Sequence, residues 1–233
     1  MTCRRSELTF GLGLVAGALG GAAIARRMAN PRSPHFEAWQ RSLIETRGEA
    51  QAAFLIGRVR ARYERLVARR PRFSHPALCG HMDKNILPGL ALYRTLLEQN
   101  SDRESVLTEV ESLFMVSFRR FRRPIRLLRY LPNPFVFLRI VTHWVMQREF
   151  PALGWEVEWV QDDERRLAYN VRRCFYLDVL NAYGAPELTP LYCAGDDWLF
   201  QALPPAICWE RTGTLARGQQ RCDFSWRSVK SVT

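Results

Sequence analysis

Apolar positions recur every three or four residues up to about Glu149 and every second residue after it, so the chain reads as helices followed by strands. From His35 to Arg69, Phe36, Trp39 and Leu43 share one helical face, and Phe54, Tyr63 and Leu66 continue it. Gly48 and Gly57 are expected to break or bend that helix, and Pro71 to end it. A second helix is predicted from Asn85 to Glu98, with Leu90, Tyr93 and Leu97 on its apolar side. Ser101 and Glu104 then form a capping box ahead of Leu107, Val110 and Phe114. Pro124 should interrupt any helix that follows. Phe135 to Val145 is too short to span a bilayer and is expected to be a buried helix.

Beyond Phe150 the alternation of Trp155, Val157 and Trp159 with Glu156 and Glu158 predicts a half-buried strand. It turns at Asp162-Asp163 and returns through Leu167, Tyr169 and Val171. Cys174 to Tyr183 and Pro190 to Leu203 read as helices, the first stopped by Gly184 and Pro186. Ile207, Trp209 and Arg211 begin a third strand, and Cys222, Phe224 and Trp226 alternate in a fourth. The fold class expected is therefore α+β: a helical N-terminal half packed with a mainly antiparallel sheet in the order ββααββ, preceded by one transmembrane helix. Three regions follow, 1–34 as anchor and linker, 35–149 helical and 150–233 α+β, with 35–233 as one globular unit.

The transmembrane expectation rests on Leu8 to Ala25, eighteen residues without a charge. As a helix they reach about 27 Å, enough for a thin hydrocarbon core. Arg26, Arg27, Arg32 and Arg41 outnumber Arg4 and Arg5, which favours an uncleaved single-pass anchor with the domain in the cytoplasm, over a signal cleaved near Ala22-Ala23-Ile24-Ala25. Gly13, Gly17 and Gly21 share one face, a spacing that lets two copies pair as a homodimer.

Charge adds a second feature. The 34 Lys and Arg against 23 Asp and Glu give +11, and six arginines between Arg119 and Arg129 are interleaved with Phe121, Ile125, Leu127 and Leu128. That run reads as an interfacial segment meeting acidic lipid, with a solvated basic face as the plainer alternative. No nucleic-acid-binding signature accompanies the charge, so no nucleic-acid partner is expected. The six cysteines at 3, 79, 174, 193, 208 and 222 form no Cys-x-x-Cys pair and read as free thiols in a reducing compartment.

The positions that bear chemistry cluster late: "AYNVRRC" with Asn170, Arg173 and Cys174, "GAPEL" with Glu187, "YCAGD" with Cys193 and Asp196, "RTGTLARG" with Arg211, Thr212 and Thr214, and "CDF" at Cys222 to Phe224. In this order they resemble the L-2-amino-thiazoline-4-carboxylic acid hydrolase family, and "HMDKNILPGLALYRTLLE" continues the likeness upstream. The resemblance implies a hydrolase that opens a small cyclic amidine or thiazoline carboxylate to a carbamoyl-cysteine, at a carbon–nitrogen or carbon–sulfur bond. Water addition needs a base, a proton donor and a cation for the substrate carboxylate. Asp196 and then Glu187 are the candidate bases, since both flank the helix bearing Cys193. Arg173 or Arg211 suits the carboxylate partner, with Asn170 and Thr214 as further substrate-binding candidates. Cys174, Cys193 and Cys222 are open to three readings: buried hydrophobes, a nucleophile among them, or ligands of a divalent metal. His81 lies in the upstream segment and is a weaker candidate. The alternative to an enzyme is a membrane-tethered module that binds a small molecule or lipid without turnover.

Overall fold

The computed structural model describes residues 34–229. The helical half opens with α1 (Pro34–Arg47) and α2 (Glu49–Arg69), which meet at Gly48. With φ at +79°, Gly48 occupies a region that side chains rarely adopt, and the chain turns there. Gly57, by contrast, is absorbed inside α2 without a break. Phe36, Trp39 and Leu43 of α1 and Ala52, Leu55, Ile56, Val59 and Tyr63 of α2 are buried, the i, i+3, i+4 stripe that drives both helices together.

Next, α3 (Pro76–His81) passes through one π-helical turn at Met82–Ile86 into α4 (Leu87–Leu97). α4 is almost wholly buried and forms the axis of the helical half. α5 (Arg103–Leu127) follows, capped by Asp102, whose side chain accepts from the Glu104 N–H at 3.2 Å, rather than by Ser101. Pro124 lies inside α5 and does not interrupt it. Five arginines of the run lie on the C-terminal part of α5 and Arg129 in the 3₁₀ turn Leu128–Tyr130 that follows, with the Arg122 guanidinium 4.2 Å from the Trp198 ring. α6 (Pro134–Glu149) buries only Phe135 and Leu138, while Phe137, Ile140 and Trp144 remain exposed, so it is a one-sided helix and not the buried one expected. Arg139 and His143 tie it to Asp162 at 2.6 and 2.8 Å.

The second half holds β1 (Trp155–Asp162), β2 (Arg166–Cys174), α7 (Phe175–Ala182), α8 (Thr189–Phe200), β3 (Ile207–Glu210) and β4 (Cys222–Ser228). All pairings are antiparallel, and the strands lie side by side as β1-β2-β4-β3. The plain ββααββ order is corrected here: 3₁₀ turns at Pro186–Leu188 and Leu215–Arg217 separate the helices and the last two strands, and β2 pairs with β4 across the helical insertion. The α+β class, helices first and an antiparallel sheet after, stands. The transmembrane helix is not found: no helix among the described residues is long and apolar enough to cross a membrane, and the stretch 8–25 that suggested a single-pass anchor lies outside the described residues.

Register decides which side chains face the helices. Tyr169 opposes Phe224, Leu167 opposes Trp226 and Val171 opposes Cys222. These six share the inner face, because directly paired residues point the same way. Asn170, Asp223 and Ser225 face outward. The inner face is faced with rings: Tyr169 stacks on Phe224 at 5.0 Å, and Trp209 sits 4.8 Å from Trp226.

Candidate active site

Helix α8 carries most of the chemistry, and its position follows from one glycine. A side chain at Gly195 would lie 2.5 Å from the Phe118 ring, so α5 and α8 come together only because position 195 has none. One turn earlier Tyr192 packs on Phe114 at 4.8 Å, and one turn later Trp198 meets Arg122. With 192, 195 and 198 committed to α5, residues 193, 196 and 197 turn toward the sheet.

There they meet Arg211, just past the end of β3. Its side chain is only 2% exposed. Nη2 donates to the Cys193 carbonyl at 2.6 Å and to Asp197 at 2.5 Å, while Nη1 reaches Asp196 at 3.4 Å. The guanidinium also lies over Phe224 at 5.2 Å and Trp209 at 5.8 Å. What holds Arg211 there is Asp223, which accepts from the Thr212 and Gly213 N–H groups at 2.9 and 2.7 Å and from the Thr212 hydroxyl. Burial alone would raise Asp223, but these bonds outweigh it and hold its carboxyl below the ordinary value.

The two neighbouring aspartates are not equivalent. Asp197 takes the short ion pair and a bond from Trp209 Nε1 at 3.3 Å. Asp196 is left with the long contact. With 43% of its side-chain surface accessible, its carboxyl lies in a solvent-reachable recess beside the enclosed arginine. Burial pushes its carboxyl up, Arg211 pulls it partly back and Asp197 pushes it up again, to about 6. The thiols of Cys174, Cys193 and Cys222 and the rings of Tyr169 and Tyr176 all feel the Asp196 charge, so the recess gathers residues from β2, α7, α8 and β4.

A family model for L-2-amino-thiazoline-4-carboxylic acid hydrolase matches residues 80–226, the span that includes every residue of this recess. The chain belongs to that family. No curated protein and no solved structure matches it. The family's description is that of a hydrolase, and the π-helical turn, α8 and all of the sheet but the last two residues of β4 fall within the matched span.

Within this hydrolase-family member the sequence-predicted residues divide sharply. Asp196, Cys174, Cys193, Cys222 and Arg211 come together. Glu187 does not: it accepts from the Tyr93 hydroxyl and lies 3.5 Å from Arg103, bracing a 3₁₀ turn against α4. Arg173 is exposed and occupied by Asp178 at 3.0 Å and the Leu153 carbonyl at 3.1 Å. Asn170 faces the opposite side of the sheet, in an open groove of about 190 Å³ with Thr212, Arg221 and Asp223. That groove holds no carboxyl free to act as base, since Asp223 is pinned by Thr212 and Gly213 and Glu210 by Arg227. Thr214 is buried, its hydroxyl without a partner among the described residues. Tyr169, Tyr176 and Asp197 escaped the sequence reading. Asp197 adjoins Asp196, but nothing in an aspartate pair shows which member will take the arginine.

The thiols behave as buried neutral groups. Burial, then backbone bonds opposing it and neighbouring charges adding to it, raise Cys174 to about 11; burial together with Asp196 and Cys222 raises Cys193 to about 12. Cys222 is raised by burial too, and its sulfur accepts from the Leu215 N–H at 3.2 Å. Among the described residues no three ligating side chains stand close enough to hold a metal, so the thiols form no ligand set. Cys174, Cys193, Cys208 and Cys222 are free thiols. Brief alkylation of the native protein at pH 7.5 should label Cys174 and Cys193 at least about tenfold more slowly than a free cysteine, as thiolate is the reactive form. Peptide mass mapping reads this directly, and fast labelling of either would restore the nucleophile reading.

Proposed function

We propose that the recess around Asp196 hydrolyses 2-amino-thiazoline-4-carboxylate, or a close cyclic amidine, to the N-carbamoyl form of cysteine. The observation that carries this is a single carboxyl held near neutrality in an accessible recess, beside neutral thiols and an arginine. An acid with a pKa of about 6 is mostly ionised at pH 7 and still basic enough to take a proton from water.

Product chemistry fixes the bond. A carbamoyl-cysteine keeps both nitrogens on the former ring carbon, so the bond that breaks is carbon–sulfur. Water adds to that carbon while Asp196 takes one proton. The tetrahedral carbon then bears oxygen, two nitrogens and sulfur; the hydroxyl proton passes to the former ring nitrogen as the carbonyl forms, and the collapse expels sulfur as thiolate. The proton held by Asp196 returns to the sulfur, giving one urea carbonyl and one thiol per substrate and water consumed. Arg211 serves by holding Asp197 and the α8 backbone, leaving Asp196 as the member of the pair free to titrate.

The test is to incubate the full chain with 2-amino-thiazoline-4-carboxylate and follow thiol release with a disulfide reagent and carbamoyl-cysteine by mass spectrometry. Equal amounts of both are expected. Substrate that persists, with neither product formed, refutes the proposal.

A further inference from the structure

A buried polar chain that the proton transfer above does not use crosses the junction between the two halves. It begins at the π-helical turn. A π turn widens the helix and disturbs its regular carbonyl pairing. Here two of its carbonyls are taken by tyrosine hydroxyls, Asp83 by Tyr63 and Asn85 by Tyr192, each at 2.9 Å. The same turn aims the Asn85 side chain inward, where Nδ2 donates to the Tyr176 hydroxyl oxygen at 3.0 Å. That hydroxyl also lies 2.9 Å from His81 Nδ1, and His81 Nε2 lies 2.9 Å from the Glu149 carbonyl.

The directions in this chain follow by elimination. A carbonyl only accepts, so the His81 proton sits on Nε2. Burial keeps the ring neutral, lowering its pKa to about 4. Nδ1 is then a bare lone pair, and the Tyr176 O–H must donate to it. Tyr176 has its proton committed to His81 and one lone pair committed to Asn85. One lone pair remains. The residue is partly accessible, and it lies near enough to feel the Asp196 carboxylate.

We infer that Tyr176 is a specificity-determining residue of this site, an oriented hydrogen-bond acceptor for an N–H donor on the substrate, with His81 and Asn85 as its positioning residues. The inference rests on the reading of the recess as the hydrolytic site. Tyr176 cannot be the proton donor to the leaving sulfur, because its proton points the other way. A neutral acceptor within the field of Asp196 suits a small heterocycle with an amino group on the electrophilic carbon, an isothiourea or cyclic amidine, and disfavours one with an alkyl group there.

The experiment compares kcat/KM for 2-amino- and 2-methyl-thiazoline-4-carboxylate in the full chain and in Tyr176→Phe. Comparing ratios cancels the intrinsic reactivity of the two rings. Loss of one such hydrogen bond should shrink the preference for the amino compound by about tenfold, through the amino substrate's kcat/KM alone. An unchanged preference overturns the inference. Should Tyr176→Phe not fold, the wild type still decides: 2-dimethylamino-thiazoline-4-carboxylate should compete at least about tenfold less well than the 2-methylamino compound, and equal competition overturns the inference. Wild-type protein that turns over none of these compounds removes the hydrolytic reading itself, whereas turnover with unchanged selectivity removes only the role of Tyr176.

Discussion

Asp196→Asn lowers kcat by about 10²- to 10⁴-fold, the usual contribution of a positioned general base, while the protein stays folded. Asparagine keeps the shape and the contact to Arg211 but cannot take a proton. The substitution should also stabilise. The ordinary aspartate value is 3.8 and the folded value about 6, so the folded chain prefers the protonated form. This preference supports the fold fully below the lower value and is lost as pH rises through the upper one. At neutral pH the ionised carboxylate is a liability that asparagine removes. With 43% of the side chain accessible, water screens much of the cost, and a gain of about 1 kcal/mol is expected. Thiol-release kinetics and urea denaturation on the same sample test both halves. A residue present for structure would move both quantities down together.

Arg211→Ala gives the opposite signature. The guanidinium is almost fully enclosed, stacked on Phe224 and bonded to Asp197, Asp196 and the Cys193 carbonyl. Its removal leaves two neighbouring carboxylates without a counter-charge and opens a void against the rings. Breaking a buried pair costs about 3–5 kcal/mol. Both aspartates retain accessible surface, so the lower end, ~3 kcal/mol, is expected. For a chain of this size that lowers Tm by roughly 6–12 °C. Asp196 also loses the charge that held it down, so residual activity should move to higher pH. A variant that melts with the wild type, measured by differential scanning fluorimetry or calorimetry, would show that Arg211 does not anchor α8.

Much of this arrangement could be read from one-dimensional pattern, for identifiable reasons. Two-residue alternation located β2 and β4, and put Tyr169, Val171, Cys222, Phe224 and Trp226 on one side of the sheet. Three- and four-residue spacing located α1, α2 and α5. The failures lie where a local rule met a tertiary one. Pro124 was expected to stop a helix, yet it sits in the last turns of α5, where the rest of the helix holds it. Phe137, Ile140 and Trp144 are apolar yet exposed, and periodicity cannot tell a covered face from an open one.

At the site, Asp196 and the three thiols were nameable because an ordered set of short motifs contains them. Glu187 belonged to the same set and points elsewhere, toward Tyr93. Its direction depends on how the 3₁₀ turn packs on α4, which no spacing in the sequence records. Arg211 was expected to hold a substrate carboxylate, but its bonds to α8 occupy it. Tyr176 had no signal at all: its partners His81 and Asn85 lie 95 and 91 residues away in sequence.

The dependence of kcat/KM on pH, measured for the full chain with 2-amino-thiazoline-4-carboxylate, bears most directly on whether the hemmed-in carboxyl of α8 activates water. The profile should fall as pH drops through about 6, with a slope of one proton. A limb centred near the ordinary aspartate value of 3.8, or activity that first appears only as a thiol ionises at about 11 or above, would contradict the account.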